Sequence, residues 1–182
     1  MVILASKSET RAKILKEHGV EFKQIGIDVD EEIKDFKTPK EYVCETTKKK
    51  LREAVKKIGL KNPIIVADTV ISVNGEILRK PKDRDDAKRL LKLQSGSKVS
   101  IFTCTAFKSK EKEFFDLSTT DYIFEKFDEE DLDRYLESGK WIGKAGGCMV
   151  EGFCKKYIRE VKGLESCARG LTIEKILPLI KD

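Results

Sequence analysis

The pattern of apolar and polar positions is clearest between Pro63 and Lys80, PIIVADTVISVNGEILRK. Ile64, Ile65, Val66 and Ala67 form a β-branched apolar run that predicts a buried strand, and the run resumes as Val70-Ile71-Ser72-Val73 after Asp68-Thr69. Asn74-Gly75 then predicts a type I′ hairpin turn, because both central residues of that turn need positive φ. Glu76-Ile77-Leu78 brings the chain back, and Pro81, with no N–H to donate, ends the pairing.

A second apolar run, Val2-Ile3-Leu4, passes through Ala5-Ser6 to Ser8, an N-cap for a helix that carries Ile14-Leu15 and stops at Gly19. Residues 22–29 alternate weakly, as a second strand would. Thr38-Pro39-Lys40-Glu41 joins a capping box to a proline at the first helical position. The helix it starts lines Val43, Thr47, Leu51, Ala54, Val55 and Ile58 along one face up to Gly59. Asp83 caps a helix with Ala87, Leu90 and Leu91, residues 100–107 and 114–124 read as two long strands, and Asp128 opens a helix ending at Gly139. Residues 153–161 read as another strand, and Thr172 begins the last helix. Hairpin and crossover connections occur together, with no repeat or low-complexity tract, so the class is α/β with a mixed sheet.

Against this pattern a few polar residues stand out. Asp68 interrupts an apolar strand, where a carboxylate is costly unless a cation, a metal or a hydrogen bond answers it. It is either the seat of chemistry or an acid at a bulge or barrel rim. The order strand, small polar turn, helix N-terminus around Ser6 presents backbone N–H groups to an anion. Arg11 in the first turn adds a fork of donors, or forms a surface ion pair with Glu9 or another acid. Lys50 falls on the Val43, Thr47, Ala54 stripe and so either snorkels outward or meets an anion in a cleft. The acidic cluster Asp28, Asp30, Glu31, Glu32 offers oxygen ligands to a hard cation, or is a solvated turn.

Composition narrows the classes. The chain of 182 residues is 40% apolar and 38% charged, with a formal net charge of +5, as expected of a single soluble unit with a highly charged surface. No apolar run reaches the roughly 18 residues of a membrane span, and MVILASKSE has no basic region leading into an apolar one, so the expected location is the cytoplasm. Five cysteines without a C-x-x-C pair suggest reduced, mostly buried thiols. His18 is the one histidine, placed to meet the last carbonyls of its helix. With it alone, Ser-His-Asp and Cys-His catalysis and multi-histidine metal sites drop out. Lys48-Lys49-Lys50 reads as a solvated helix face, and aromatics are not interleaved with the basic residues as single-strand binders need.

Several motifs together resemble the Maf family of nucleoside triphosphate pyrophosphatases. LASKSETRAKIL is similar to that family's LASxSPRRxELL, and VADTVISVNGEILRKPKD to its ADT…GxxxxKPxD block. QSG followed by a strand with Thr103, then WIGKAGGCMVEG and GLESCARGLTIEKIL, resemble its SG…T, KAGxYxIQG and G…GLPxxxL segments, in the family's order and across nearly the whole chain. The resemblance implies one domain over residues 1–182: an elongated α/β structure with a mixed, twisted sheet and two lobes around a central cleft. It implies hydrolysis of a nucleoside triphosphate to a monophosphate and pyrophosphate, assisted by magnesium, manganese or cobalt, as house-cleaning of pyrimidine or non-standard nucleotides. Asp68 then matches the catalytic base and metal-side aspartate, Ser6, Arg11, Lys50 and Lys80 match the phosphate-site residues, and Glu31, or its neighbours Asp30 or Glu32, matches a metal ligand.

The departures fall at specificity positions. Thr10 replaces the first arginine of the family's pair, Thr69 is the residue of members that take dTTP and UTP, and Glu151 stands where those members have glutamine. An acid at that position resembles members preferring 7-methyl-GTP, which carry different residues at the other two. A carboxylate accepts from base N–H groups but cannot donate as an amide can. The competing expectation is a non-catalytic regulator of cell division that binds nucleotide or nucleic acid. It leans on the lost arginine and the basic helix; a homodimer is compatible with either.

Overall fold

The computed structural model describes residues 1–29 and 36–181. The strands are β1 (Val2–Leu4), β2 (Phe22–Gln24), β3 (Ile64–Val73), β4 (Glu76–Leu78), β5 (Lys98–Lys108), β6 (Glu113–Phe124) and β7 (Ile158–Lys162). The helices are α1 (Glu9–Glu17), α2 (Pro39–Ile58), α3 (Arg84–Gln94), α4 (Glu129–Glu137), α5 (Glu165–Ala168) and α6 (Ile173–Lys181). The strands form one seven-stranded sheet in the order β2-β1-β3-β5-β6-β7, with β4 paired to β3. β1 runs parallel to β2 and β3, whereas β3/β4 and β6/β7 are antiparallel, so the sheet is mixed, as the sequence pattern predicts.

The chain divides into two compact units, one of Met1–Thr69, Phe102–Thr119 and Leu164–Asp182, the other of Val70–Ile101 and Thr120–Gly163. In the first unit β1 and the start of β3 are covered on both faces, which is why they are continuous apolar runs rather than alternating ones. Val2 and Leu4 of β1 and Ile65 and Ala67 of β3 pack with Ile14 and Leu15 of α1 and Ile173 and Ile176 of α6. Their neighbours of opposite parity, Ile3, Ala5, Ile64 and Val66, pack with Leu51 and Ala54 of α2. Successive side chains of a strand point to opposite faces, so β3 delivers its even-numbered residues to α2 and its odd-numbered ones to α1 and α6.

In the second unit α3 and α4 contribute Ala87, Leu90, Leu91, Leu132 and Leu136 to the buried set. Phe127 lies 5.7 Å from Phe124, 5.3 Å from Phe153 and 4.8 Å from Tyr157, centroid to centroid, and Tyr135 stacks on Phe153 at 4.5 Å. Trp141 Nε1 donates to the Leu136 carbonyl at 2.9 Å, closing the end of α4.

The local signals hold. Asn74 and Gly75 have φ of 50° and 84° in the β3–β4 turn, Thr38 and Asp83 cap α2 and α3, and His18 Nδ1 donates to the Ile14 carbonyl at 2.9 Å. Three expectations are corrected. The second strand stops at Gln24 rather than reaching residue 29. The strand expected at 153–161 begins only at Ile158, since Phe153–Tyr157 is a 3-10 turn that brings those two rings to 5.4 Å. Extended backbone would separate them by about 13 Å. Cysteines 148 and 154, expected as thiols, form a disulfide across this segment with Cα atoms 6.5 Å apart, while Cys44, Cys104 and Cys167 are free. No described helix is long and apolar enough to cross a membrane.

Candidate active site

Asp68 and Thr69 are consecutive on β3, and the pleat sends them to opposite faces. Asp68 continues the Ile64, Val66 series toward α2, where Lys50 Nζ donates to its Oδ1 at 2.6 Å. Asp68 is only 8% exposed, and the side chains of Lys50 and Asp68 keep 14% and 11% of their surface. Lys50 reaches that position because the α2 face carrying Val43, Thr47 and Ala54 is buried against the sheet, with Thr47 Oγ1 lying 2.8 Å from the Val43 carbonyl and 3.3 Å from that of Cys104 on β5. The inward reading of Lys50, toward an anion, is the one the geometry matches.

Thr69 continues the Ile65, Ala67 series toward α1, and Arg11 meets it there. α1 begins where β1 ends: Ser8 is the N-cap and accepts from the Arg11 backbone N–H at 3.3 Å, while Ser6 Oγ accepts from the Ser8 backbone N–H at 3.2 Å. Gln24 of β2 secures the same turn by donating to the Ser6 carbonyl at 2.9 Å. The Arg11 guanidinium then donates to Ser6 Oγ from Nη1 at 3.1 Å, to Thr69 Oγ1 from Nη2 at 3.2 Å and to the Gly170 carbonyl from Nε at 2.7 Å. Ser6, Arg11, Lys50, Asp68 and Thr69 thus belong to one unit and one connected end of the parallel strands. Ligands of open α/β sheets bind outside the carboxyl ends of such strands.

Two residues of this arrangement received no role from the sequence. Gly170 has φ of +96°, and a Cβ there would lie 3.2 Å from Thr69 Oγ1 and 3.4 Å from Arg11 Nε. Thr103 of β5 is fully buried and hydrogen-bonds Thr69 Oγ1 at 2.8 Å. A hydroxyl in a buried strand is a signal, since a buried polar group needs a partner.

Thr10 is half-buried in the first turn of α1. Lys80 is exposed in the second unit, directly after Arg79, whose carbonyl accepts from the Gly146 N–H at 3.0 Å. Gly146 and Gly147 take positive φ, Gln94 Nε2 donates to the Gly146 carbonyl at 2.7 Å and Tyr135 Oη to that of Gly147 at 2.9 Å, so the glycine turn is anchored from three sides. Glu151 is exposed and lines a cavity of about 970 Å³ with Tyr135, Lys140, Lys144 and Phe153. Glu31, with Asp30 and Glu32, lies outside the described residues. Among the described residues no group of three or more His, Cys, Asp or Glu side chains comes together to hold a metal.

Comparison with known proteins identifies relatives of the whole chain. A protein from a Nitratiruptor species called nucleoside triphosphate pyrophosphatase is 55% identical over 184 residues, covering 100% of both chains. Proteins of the same name from Helicobacter pylori (strain Shi470) and Campylobacter jejuni subsp. doylei are 38% and 36% identical, covering 99% and 96% of this chain and 95% and 97% of theirs. Among solved structures, the Staphylococcus aureus Ham1 protein matches with a TM-score of 0.49 and 16% identity over 68% of this chain and 71% of that one. The profile of the Maf-like protein family matches residues 1–182, and the chain belongs to that family.

Proposed function

We propose that this protein hydrolyses nucleoside triphosphates to a nucleoside monophosphate and pyrophosphate in the cytoplasm, with a divalent cation bound alongside the phosphates. The observation that carries the reading is the pair of consecutive residues on β3, a nearly buried carboxylate held by Lys50 and a hydroxyl held by Arg11. The name borne by the relatives describes the same reaction.

Lys50 occupies Asp68 Oδ1 and orients the carboxylate, which leaves the other oxygen as the acceptor for a proton from water. As that water attacks, a new P–O bond forms and the bridge between the α and β phosphorus atoms breaks, the bridging oxygen keeping the electron pair. Ser6, Arg11, Lys50 and Lys80 hold the phosphate oxygens, Arg11 by its planar fork and the lysines as point charges. Magnesium or manganese, or cobalt in their place, suits this donor set because Asp68 offers a single carboxylate and phosphate oxygens and water complete such a shell. Bound there, the ion offsets phosphate charge. Glu31 is the candidate second ligand.

Thr10, Thr69 and Glu151 set the base preference, toward pyrimidine or modified nucleotides. The non-catalytic regulator loses part of its basis: of the basic run, Lys48 pairs with Glu45 at 2.7 Å and Lys50 turns inward to Asp68.

Pyrophosphate release from UTP, dTTP, CTP, GTP, 7-methyl-GTP and ITP with each cation tests the proposal. Asp68→Asn should lower kcat by about 10² or more while the chain still folds, and chelation should abolish release. Full activity in Asp68→Asn would overturn the assignment.

A further inference from the structure

β5 places Thr103 and Thr105 two residues apart, on the face shared with Phe107, and both are fully buried. Thr105 meets the Thr172 hydroxyl at 2.9 Å, and Thr103 donates to the Cys167 carbonyl at 2.7 Å, so the strand clasps the segment 167–172 at two points. The same segment carries Gly170, whose carbonyl accepts from Arg11.

The proton directions at Thr103 follow from counting. A hydroxyl has one hydrogen, and a carbonyl oxygen can only accept. The Thr103 hydrogen therefore goes to Cys167, and the 2.8 Å contact with Thr69 requires Thr69 to be the donor. With its hydrogen committed, Thr69 meets the Arg11 Nη2 hydrogen as an acceptor. The chain runs one way, from guanidinium through Thr69 and Thr103 to the Cys167 carbonyl.

We infer that Thr103 is a positioning residue for Arg11. It holds the Thr69 lone pair toward the guanidinium, so that Arg11 is fixed in plane by Ser6, Thr69 and Gly170 before any anion arrives. Preorganised donors of this kind act without reorganisation during the reaction. The same direction makes Thr69 acceptor-only toward a ligand, which a nucleotide N–H or O–H can meet and an unprotonated oxygen cannot. The inference rests on the proposed phosphate role of Arg11.

The test is a rescue series with a double-mutant cycle. Thr103→Val keeps the shape and removes the hydroxyl, Thr103→Ser keeps the hydroxyl, and each is combined with Arg11→Lys. Pyrophosphate release should show kcat/KM about 10-fold lower for Thr103→Val and near wild type for Thr103→Ser. In the Arg11→Lys background the valine change should cost little more, since the two residues act through one contact. If Thr103→Val does not fold, Thr69→Val breaks the chain one link earlier and leaves Cys167 bonded, and the same non-additivity is expected. Additive losses, or a Thr103→Val enzyme with wild-type kinetics beside an impaired Arg11→Lys, would overturn the inference while leaving the pyrophosphatase reading standing. If wild type releases no pyrophosphate, calorimetric binding of inorganic tripolyphosphate replaces turnover: the same coupling supports the inference, and absence of binding overturns both.

Discussion

The two regions that supply the candidate site residues are built on different principles. Around Arg11 and Asp68 each polar side chain is held: the guanidinium by Ser6, Thr69 and Gly170, the carboxylate by Lys50, and Thr69 by both Arg11 and Thr103. Around Lys80 and Glu151 the backbone is held, through Gly146, Gly147, Gln94 and the disulfide, while the two side chains themselves are exposed. Buried, bonded groups are rigid and intolerant of change, whereas exposed side chains on an anchored turn can vary without disturbing the fold. On the proposed reading, Asp68, Lys50 and Arg11 in the first region serve the chemistry that every substrate shares, and Glu151 in the second contributes to base preference.

The sharpest way to break this contrast is Gly170→Ala. The backbone there has φ of +96°, and the new Cβ would press on Thr69 Oγ1 at 3.2 Å and on the guanidinium of Arg11. Non-glycine residues in such a conformation cost of order 1–3 kcal/mol, and the relief available is displacement of Arg11. Thermal unfolding should show a loss of about 1–2 kcal/mol, and kcat/KM for pyrophosphate release should fall about 10-fold or more for every nucleotide alike. A uniform loss marks Gly170 as serving Arg11 and the shared chemistry; a loss confined to some bases would show that the strain is relieved through Thr69, a proposed specificity residue, instead.

How far the sequence reveals this division depends on the distance over which each contact acts. The Asn74-Gly75 turn, the Thr38 and Asp83 caps and the inward stripe of α2 are set by neighbours within a few residues, and all are legible. Lys50 could be picked out because it shares its stripe with Val43, Thr47 and Ala54. Gly170 could not, because its reason lies in Arg11, 159 positions away. Thr103 could be named only as the threonine of the SG…T segment, without a role, because its partner Cys167 is 64 positions distant. The 3-10 turn at Phe153–Tyr157 escapes the pattern for the same reason: its rings pack on Phe127 and Tyr135, and periodicity alone does not report those partners.

Glu151→Gln sharpens the comparison from the other side. The carboxylate only accepts, and the amide both accepts and donates, so the ranking of bases should change while the common step does not. The ratio of kcat/KM for UTP over 7-methyl-GTP should move by about 10-fold, the value of one well-placed hydrogen bond. Stability should stay within about 0.5 kcal/mol, as for other exposed positions. An equal change in kcat for all nucleotides would argue that Glu151 takes part in the common chemistry.

The smallest expected effect concerns how the first region keeps its C-terminal segment in place. Arg169, next to Gly170, forks onto Glu17 at the end of α1, with Nη1 and Nη2 donating to the two carboxylate oxygens at 2.9 and 3.1 Å. The hydrogen bond from Arg169, helped by its charge, lowers the Glu17 pKa below its ordinary value near 4.5. A lowered folded-state pKa means that the unfolded chain binds the proton more readily. The stabilisation is therefore complete above the ordinary value and disappears as pH falls through the lowered one. Glu17→Gln should melt slightly below wild type at neutral pH, and the gap should close when both are melted in acid. Because the pair is partly exposed, added salt should narrow the gap as well. Turnover in Glu17→Gln should remain close to wild type, since Gly170 is also tied through the Cys167 and Thr172 contacts to β5. A large loss of activity would instead make this outer ion pair part of the apparatus that aims Arg11.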